Sequence, residues 1–297
     1  MIKITFLGTG SMIPTKQRNH SAVLLSYKDE NILVDCGEGT QRQFRIAGLK
    51  PTKITKILIT HWHGDHVLGL PGLVQTLGTS EFNGKIEIYG PKGSKRYFKN
   101  MCEGIAMICR IDVEIHEIEK AGKFLDTKDF SIEAYYLEHG IETLGYRFIE
   151  KDRRNIDVDY IKKFGLQKHP ILKQLQQGKD IEWQGKKIKA ENATKITEGK
   201  VIAFVADTTI CDNAVKVAKE ADIAICESTH LEKDKSEEYM HMTAKEAGEV
   251  AKKAKAKKLI LTHFSQRYGR VDDLVKEAKH VFKHETIAAE DFLEIIV

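Results

Sequence analysis

His61-Trp62-His63-Gly64-Asp65-His66 packs three imidazoles and a carboxylate into six residues. It follows an apolar run at residues 54–60 that reads as a β-strand and precedes residues 67–77, which read as a helix. Four metal-competent groups thus stand at the carboxyl end of a strand, where open α/β sheets place their ligands. His61 and His63 alternate by two, so a short extended segment points both to one side. Asp65 and His66 then turn into the helix and can face a second position. Neutral imidazole and carboxylate donors suit zinc, with manganese or iron as alternatives. A polar loop capping a helix through Asp65 would be an ordinary feature, but it does not account for three histidines so close together. The stretch is read as a metal site on a strand-to-helix exit.

Outward from it, strand-like and helix-like runs alternate. Strands are expected at residues 2–7, 21–27, 31–35, 56–60, 85–89, 113–118, 130–137 and 143–149, with helices at 40–47, 67–77 and 94–107. From residue 201 the rhythm becomes βα, with strands at 201–206, 222–227, 258–262 and 292–297 and helices at 213–220, 243–253 and 272–282. Hairpin-rich strands first and βα units later predict α/β layers with mixed sheets. Residues 150–200 break the pattern, with short helices expected at 160–164 and 171–177 and Gly178, Trp183 and Gly185 as punctuation. Their contents look too polar for a core of their own. They are expected to form an arm projecting from a single domain spanning residues 1–297.

At 297 residues, 41% hydrophobic and 30% charged, the chain can bury a large globular core. No run of 18 apolar residues exists, so no transmembrane helix is expected. Residues 1–8 are apolar but too short and wrongly flanked for a signal peptide. Cys36, Cys102, Cys109, Cys211 and Cys226 are odd in number and form no Cys-x-x-Cys pair. They read as reduced thiols of a cytoplasmic enzyme, not as a thiolate zinc site. The net charge of +4 is concentrated, because residues 150–200 hold 13 Lys and Arg against 8 Asp and Glu. A basic insert on a near-neutral body suggests a polyanionic partner, the alternative being a solvated lysine-rich face.

A hydrolytic two-metal site needs more than four ligands, ideally with one group bridging both ions. His139 follows the strand at 130–137, Asp207 follows that at 201–206, and His263 ends that at 258–262. With His61, His63, Asp65 and His66 they make seven donors at strand exits, where one cleft can gather them.

Gly8-Thr9-Gly10, Asp35-Cys36-Gly37-Glu38-Gly39, the His61–His66 run, His139, Ala206-Asp207-Thr208 and Thr262-His263 resemble the ordered motifs of the metallo-β-lactamase fold. Four further features resemble the ribonuclease Z family, endonucleases that trim tRNA 3′ ends. They are Pro14-x-Lys16-x-Arg18-Asn19, the segment at 37–43, Glu227-Ser228-Thr229 followed by His241, and the segment at 262–268. The resemblance covers essentially the whole chain. It implies a four-layer αβ/βα sandwich with a dinuclear site at the joined edges of its sheets. It also implies one Zn2+ on His61, His63 and His139, a second on Asp65, His66 and His263, and Asp207 bridging them. Hydroxide generated between two cations then attacks the phosphorus of precursor tRNA in line and leaves a 3′-hydroxyl, with Asp65 orienting or deprotonating the water. His241, held by Glu227, resembles the family's proton donor to the leaving oxygen. Asp35 resembles a buried carboxylate that orients ligands without touching metal. By the same resemblance residues 150–200 are a flexible exosite arm gripping tRNA from the partner subunit of a homodimer; no membrane and no nucleotide cofactor are implied.

Substrate contacts are expected from Ser265, Arg267 and Tyr268, just after a ligand, and from Arg18, Asn19 and Arg42 on facing loops, unless these are salt-bridged scaffold. On the arm, Lys162, Lys163, Lys168 and Lys173 are expected to meet tRNA. There the family's Gly-Pro-rich signature is reduced to Gly165-Leu166-Gln167-Lys168-His169-Pro170, with Gly178 further on. His20, His116, His169, His230, His280 and His284 read as structural or surface residues. The principal alternative is a small-molecule phosphodiesterase or another hydrolase of the same fold. The basic insert and the segment at 262–268 favour RNA over it. A non-catalytic RNA-binding protein has no need of so complete a donor set.

Overall fold

A computed structural model describes residues 1–80, 82, 84–234 and 239–297. Two seven-stranded sheets carry its main body. The first has the order Glu294–Ile296, Ile2–Gly8, Ala22–Tyr27, Glu30–Val34, Lys56–Leu58, Lys85–Pro91 and Asp112–Ile118. Its hairpins pair antiparallel as far as Glu30–Val34, and the crossovers beyond pair parallel. The second has the order Glu285–Ala288, Lys258–Thr262, Ile223–Glu227, Val201–Val205, Thr143–Glu150, Phe130–Leu137 and Gly122–Asp126. Its βα half pairs parallel. The mixed sheets follow the expected pattern.

Alternation along each strand builds the layers. In Ala22–Tyr27, Ala22 and Leu24 join Leu33, Ile57, Phe44 and Leu73 under the helices Thr40–Ile46 and Leu70–Gly78. Tyr27 points the other way, and its ring meets that of Phe148 from the second sheet edge-on at 5.4 Å. On the far side Val217, Ala247, Val250, Leu274 and Ala278 bring Asp212–Ala218, Ala244–Lys253 and Asp272–Val281 against Ala203, Ala224 and Leu259. The result is a helix–sheet–sheet–helix sandwich. Among the described residues no helix is long and apolar enough to cross a membrane.

Three expectations change. The helix expected at residues 67–77 is two, Gly64–Val67 and Leu70–Gly78. The break lies at Gly69, where a Cβ would stand 2.1 Å from the Gly37 carbonyl oxygen, and Pro71 starts the second helix. The strands Gly122–Asp126 and Glu285–Ala288 were not anticipated; both are short, and each borders its sheet.

Third, the insert has a core of its own. Asp126–Ser131 and Ile149–Lys200 form a separate compact unit. Arg153–Ile156 pairs with Thr194–Thr197, and Ile181–Trp183 pairs with Lys186–Ile188. That second hairpin turns through Gln184 and Gly185, both at positive φ (50° and 73°), as a two-residue turn demands. Ile161, Leu166, Leu175, Ile181, Ile188, Ala190 and Ala193 are buried together. They are scattered among charged residues, so no local window reads as apolar until hairpin and helices close on one another.

Candidate metal centre

The loop after Lys56–Leu58 runs extended through His61 and His63 before turning helical at Gly64–Val67. His61 Nε2 and His63 Nδ1 lie 3.1 Å apart, and His139 Nε2 lies 3.3 Å from His63 Nδ1. In a second group His66 Nε2 is 3.3 Å from His263 Nε2 and 3.5 Å from Asp65 Oδ2, itself 3.3 Å from His263 Nε2. Asp207 Oδ2 joins the groups, at 3.6, 3.4 and 3.3 Å from the Nε2 atoms of His61, His66 and His263. Lone-pair atoms so close repel unless something positive lies between them. Ligands at ~2.0–2.1 Å around a tetrahedral cation stand ~3.3 Å from one another. Among the described residues Asp65 Oδ1 is buried without a hydrogen-bond partner, an orphan that a cation would satisfy. The donor set fits divalent metal.

The backbone aims these groups at a cost. Asp35 and His263, each just past a strand end, hold φ of +59° and +61°, a left-handed conformation that strains a residue bearing a Cβ. The second imidazole nitrogens of His61, His66, His139 and His263 are tethered. His66 Nδ1 donates to Asp35 Oδ2 at 2.8 Å and His139 Nδ1 donates to the Met240 carbonyl at 3.1 Å. His61 Nδ1 meets Thr60 Oγ1 at 3.0 Å, and His263 Nδ1 meets Thr229 Oγ1 at 2.9 Å. Such partners set ring orientation and leave Nε2 facing the centre. His241 Nδ1 donates to Glu227 Oε1 at 3.1 Å. A capping box of Thr243 and Glu246 starts the next helix and holds this segment in place.

Asp35, Asp65, Asp207 and Glu227 are all buried, and among the described residues no Lys or Arg pairs with them. Burial alone would raise their proton affinities. His66 and His263 nevertheless hold Asp65 and Asp207 far below the usual carboxylate range, and His241 holds Glu227 below it. Burial works against a proton on His66, but Asp207, Asp35 and Asp65 outweigh it and raise its pKa well above the ordinary value. His61 falls well below, through burial and then the charge of His66. His241 is pushed up to about 9, Glu227 and Asp207 overcoming burial. Without metal the site therefore gathers an excess of negative charge in a buried place, which divalent cations would neutralise.

A cleft of about 470 Å³ opens over this centre, with His63, Asp65, His139, Asp207, His241 and His263 in its wall. Ser265 and Arg267 line it too, as do the exposed apolar side chains of Met12, Ile13 and Tyr239. Arg18, Asn19, Arg42 and Tyr268 are not in that lining. Arg18 donates to the Tyr268 carbonyl at 2.8 Å and lies over the Phe264 ring. The Tyr268 hydroxyl donates to Asp234 Oδ2 at 2.7 Å, and Asn19 Nδ2 donates to the Glu38 carbonyl at 2.8 Å. These three brace loops; Arg42 is exposed on Thr40–Ile46. Lys162, Lys163, Lys168 and Lys173 are exposed in the insert unit, Lys162 beside Asp159 at 3.2 Å. The sequence reading missed Thr60, quoted Thr229 in a motif without giving it a role, and left His230 as structural or surface; both threonines touch candidate ligand imidazoles, and the buried ring of His230 lines the cleft. Thr60 was findable as the neighbour of His61; Thr229 meets His263 only through the fold.

Residues 2–109 match the family model described as anti-Pycsar protein Apyc1, and residues 172–264 match the β-lactamase superfamily domain. Over 292 residues the chain is 39% identical to ribonuclease Z of Protochlamydia amoebophila, covering 98% of this chain and 95% of that one. The crystal structure of human tRNase Z, short form, superposes with a TM-score of 0.72 at 31% identity, covering 99% of each chain. The metallo-β-lactamase fold protein YhfI of Bacillus subtilis shares the fold, with a TM-score of 0.71 at 21% identity over 99% of this chain and 98% of that one. The chain belongs to the ribonuclease Z family, endoribonucleases built on the metallo-β-lactamase fold.

Proposed function

We propose that this protein removes 3′ trailers from precursor tRNA, cutting one phosphodiester with the help of two zinc ions and leaving a 3′-hydroxyl on the tRNA. The observation that carries this is the joining of two donor groups by Asp207 Oδ2, at ligand-to-ligand spacing, in the open cleft of a ribonuclease Z family member. His61, His63 and His139 would hold one ion, Asp65, His66 and His263 the other, and Asp207 both. Imidazole and carboxylate donors without thiolate suit zinc, and manganese or iron share those preferences. Divalent cations bound there lower the pKa of water and neutralise phosphoryl charge.

The chain's own residues supply the rest. Asp65, whose Oδ1 has no hydrogen-bond partner among the described residues, orients the attacking water and accepts its proton. His241 is anchored through Nδ1 to Glu227, and its Nε2 delivers a proton to the leaving 3′-oxygen. Ser265 and Arg267 bind phosphates beside the cut. The insert acts as an exosite, with Lys162, Lys163, Lys168 and Lys173 meeting the tRNA body, in a cytoplasmic homodimer in which each insert serves the partner's substrate.

The test is cleavage of a labelled precursor tRNA bearing a 3′ trailer, by metal-loaded protein, chelated protein and Asp65→Ala. A single cut after the discriminator base, lost on chelation and in the variant, supports the proposal. No cut, alongside turnover of bis-p-nitrophenyl phosphate, would leave a small-molecule phosphodiesterase in its place.

A further inference from the structure

Among the described residues Glu227 hydrogen-bonds to none of the seven metal donors, yet its hydrogen-bond partners reach one of them. It is buried and accepts five: Oε1 from Thr208 N at 3.0 Å, Met242 N at 2.9 Å and His241 Nδ1 at 3.1 Å, and Oε2 from Thr229 N at 3.2 Å and Thr229 Oγ1 at 2.7 Å. A carboxylate can only accept, so the single hydroxyl hydrogen of Thr229 is committed to Glu227. Thr229 Oγ1 can then only accept from its other neighbour, His263 Nδ1, at 2.9 Å. His263 must carry a proton on Nδ1, which leaves Nε2, facing Asp65 and Asp207, as its metal-binding atom. We propose that Thr229 is a positioning residue whose hydroxyl relays the polarity of Glu227 to His263 and so fixes the metal-binding tautomer.

The same device recurs at the other end of the site. Asp35 takes His66 Nδ1 directly, and Thr60 Oγ1, donating to Asp35 at 2.8 Å, meets His61 Nδ1 at 3.0 Å. Each carboxylate therefore orients one imidazole by contact and a second through a threonine. Glu227 does this for the cleft imidazole His241 and the metal-side imidazole His263, and ties proton donor and metal site to one buried anion.

Directionality makes a sharp prediction for Glu227→Gln. Three donors converge on the Oε1 side, so a glutamine sets its amide oxygen there and its NH2 against Thr229. The Thr229 hydroxyl then turns its hydrogen toward His263, whose proton is driven to Nε2, the atom that must bind metal.

The inference rests on the metal reading of the site. It is tested by zinc dissociation constants from chelator competition, with native mass spectrometry as the count, for wild type, Thr229→Val, Thr229→Ser, Glu227→Gln and the Glu227→Gln/Thr229→Val double variant. Thr229→Ser keeps the hydroxyl and should bind as wild type does, whereas the isosteric Thr229→Val should weaken zinc about 10- to 100-fold. Glu227→Gln should weaken it too, but add nothing in the Thr229→Val background, where the relay is already cut. Thr229→Val binding like wild type, Thr229→Ser failing like Thr229→Val, or additive losses in the double variant would overturn the relay while leaving the metal site standing. Wild-type protein that binds no zinc would overturn the metal reading itself.

Discussion

Gly37→Ala puts the coupling between fold and site to a test. A Cβ at Gly37 would stand 2.3 Å from the Asp65 carbonyl oxygen and 2.4 Å from His20 Cβ, against ordinary contacts of 3.4–4 Å. Neither obstacle is the free end of a flexible side chain, so the chain must part by about 1 Å, typical of overpacking that costs about 1–3 kcal/mol. The Asp65 side cannot move alone, because Cys36 N donates to the His66 carbonyl at 2.8 Å. Donor atoms in the site stand only 3.3–3.5 Å apart around Asp65, His66 and His263, and a shift of about 1 Å ruins that spacing. Expected are a zinc affinity reduced by about 10-fold or more and a kcat/KM on precursor tRNA lower by about 100-fold. Chelator competition, cleavage kinetics and a thermal melt read all three effects, with Gly104→Ala, where nothing lies within 4 Å, as control. A Gly37→Ala protein that melts lower yet binds zinc and cleaves as wild type does would refute the claim that this close approach sets the position of Asp65.

His241→Ala should keep its metal but lose about 100-fold or more in kcat on precursor tRNA, and lose little on bis-p-nitrophenyl phosphate, whose leaving group needs no proton; equal losses on both would remove His241 from proton transfer. Zinc affinity should fall on acidification, because metal must displace the proton that Asp207, Asp35 and Asp65 hold on His66; isothermal titration between pH 6 and 8 in buffers of different ionisation enthalpy should show proton release (about neutral range, where histidines titrate). In the metal-free protein the raised pKa of His241 contributes stability that is full below its ordinary value of 6.5 and is lost as pH rises through about 9; His241→Gln should lack that part of the decline in denaturant melts. Replacing Lys162, Lys163, Lys168 and Lys173 together by Ala should raise KM for precursor tRNA and flatten its salt dependence without changing turnover of a small diester.

The candidate donors that the fold brings together were legible because their chemistry is local. Three histidines in six residues, or a histidine at the end of an apolar strand, announce themselves wherever the chain folds. The mixed sheets were legible through the change from hairpins to βα units, and the four-layer sandwich through the family resemblance, whereas the strand order was not read. The insert's core was not, since Ile161, Leu175 and Ile188 are separated by lysines and glutamines and meet only in space. Nor did sequence proximity separate Arg267, which lines the cleft, from Tyr268, whose hydroxyl is tied to Asp234. The relay through Thr229 needs atomic directions, because it depends on which atom donates to which.

The most direct test of the dinuclear centre is the zinc count per chain by native mass spectrometry, for wild type, His139→Ala, His263→Ala and Asp207→Ala. Two ions in wild type are expected, with one lost in His139→Ala, the other lost in His263→Ala, and both weakened in Asp207→Ala. A single ion in wild type that His139→Ala and His263→Ala each abolish would contradict two donor groups joined by Asp207.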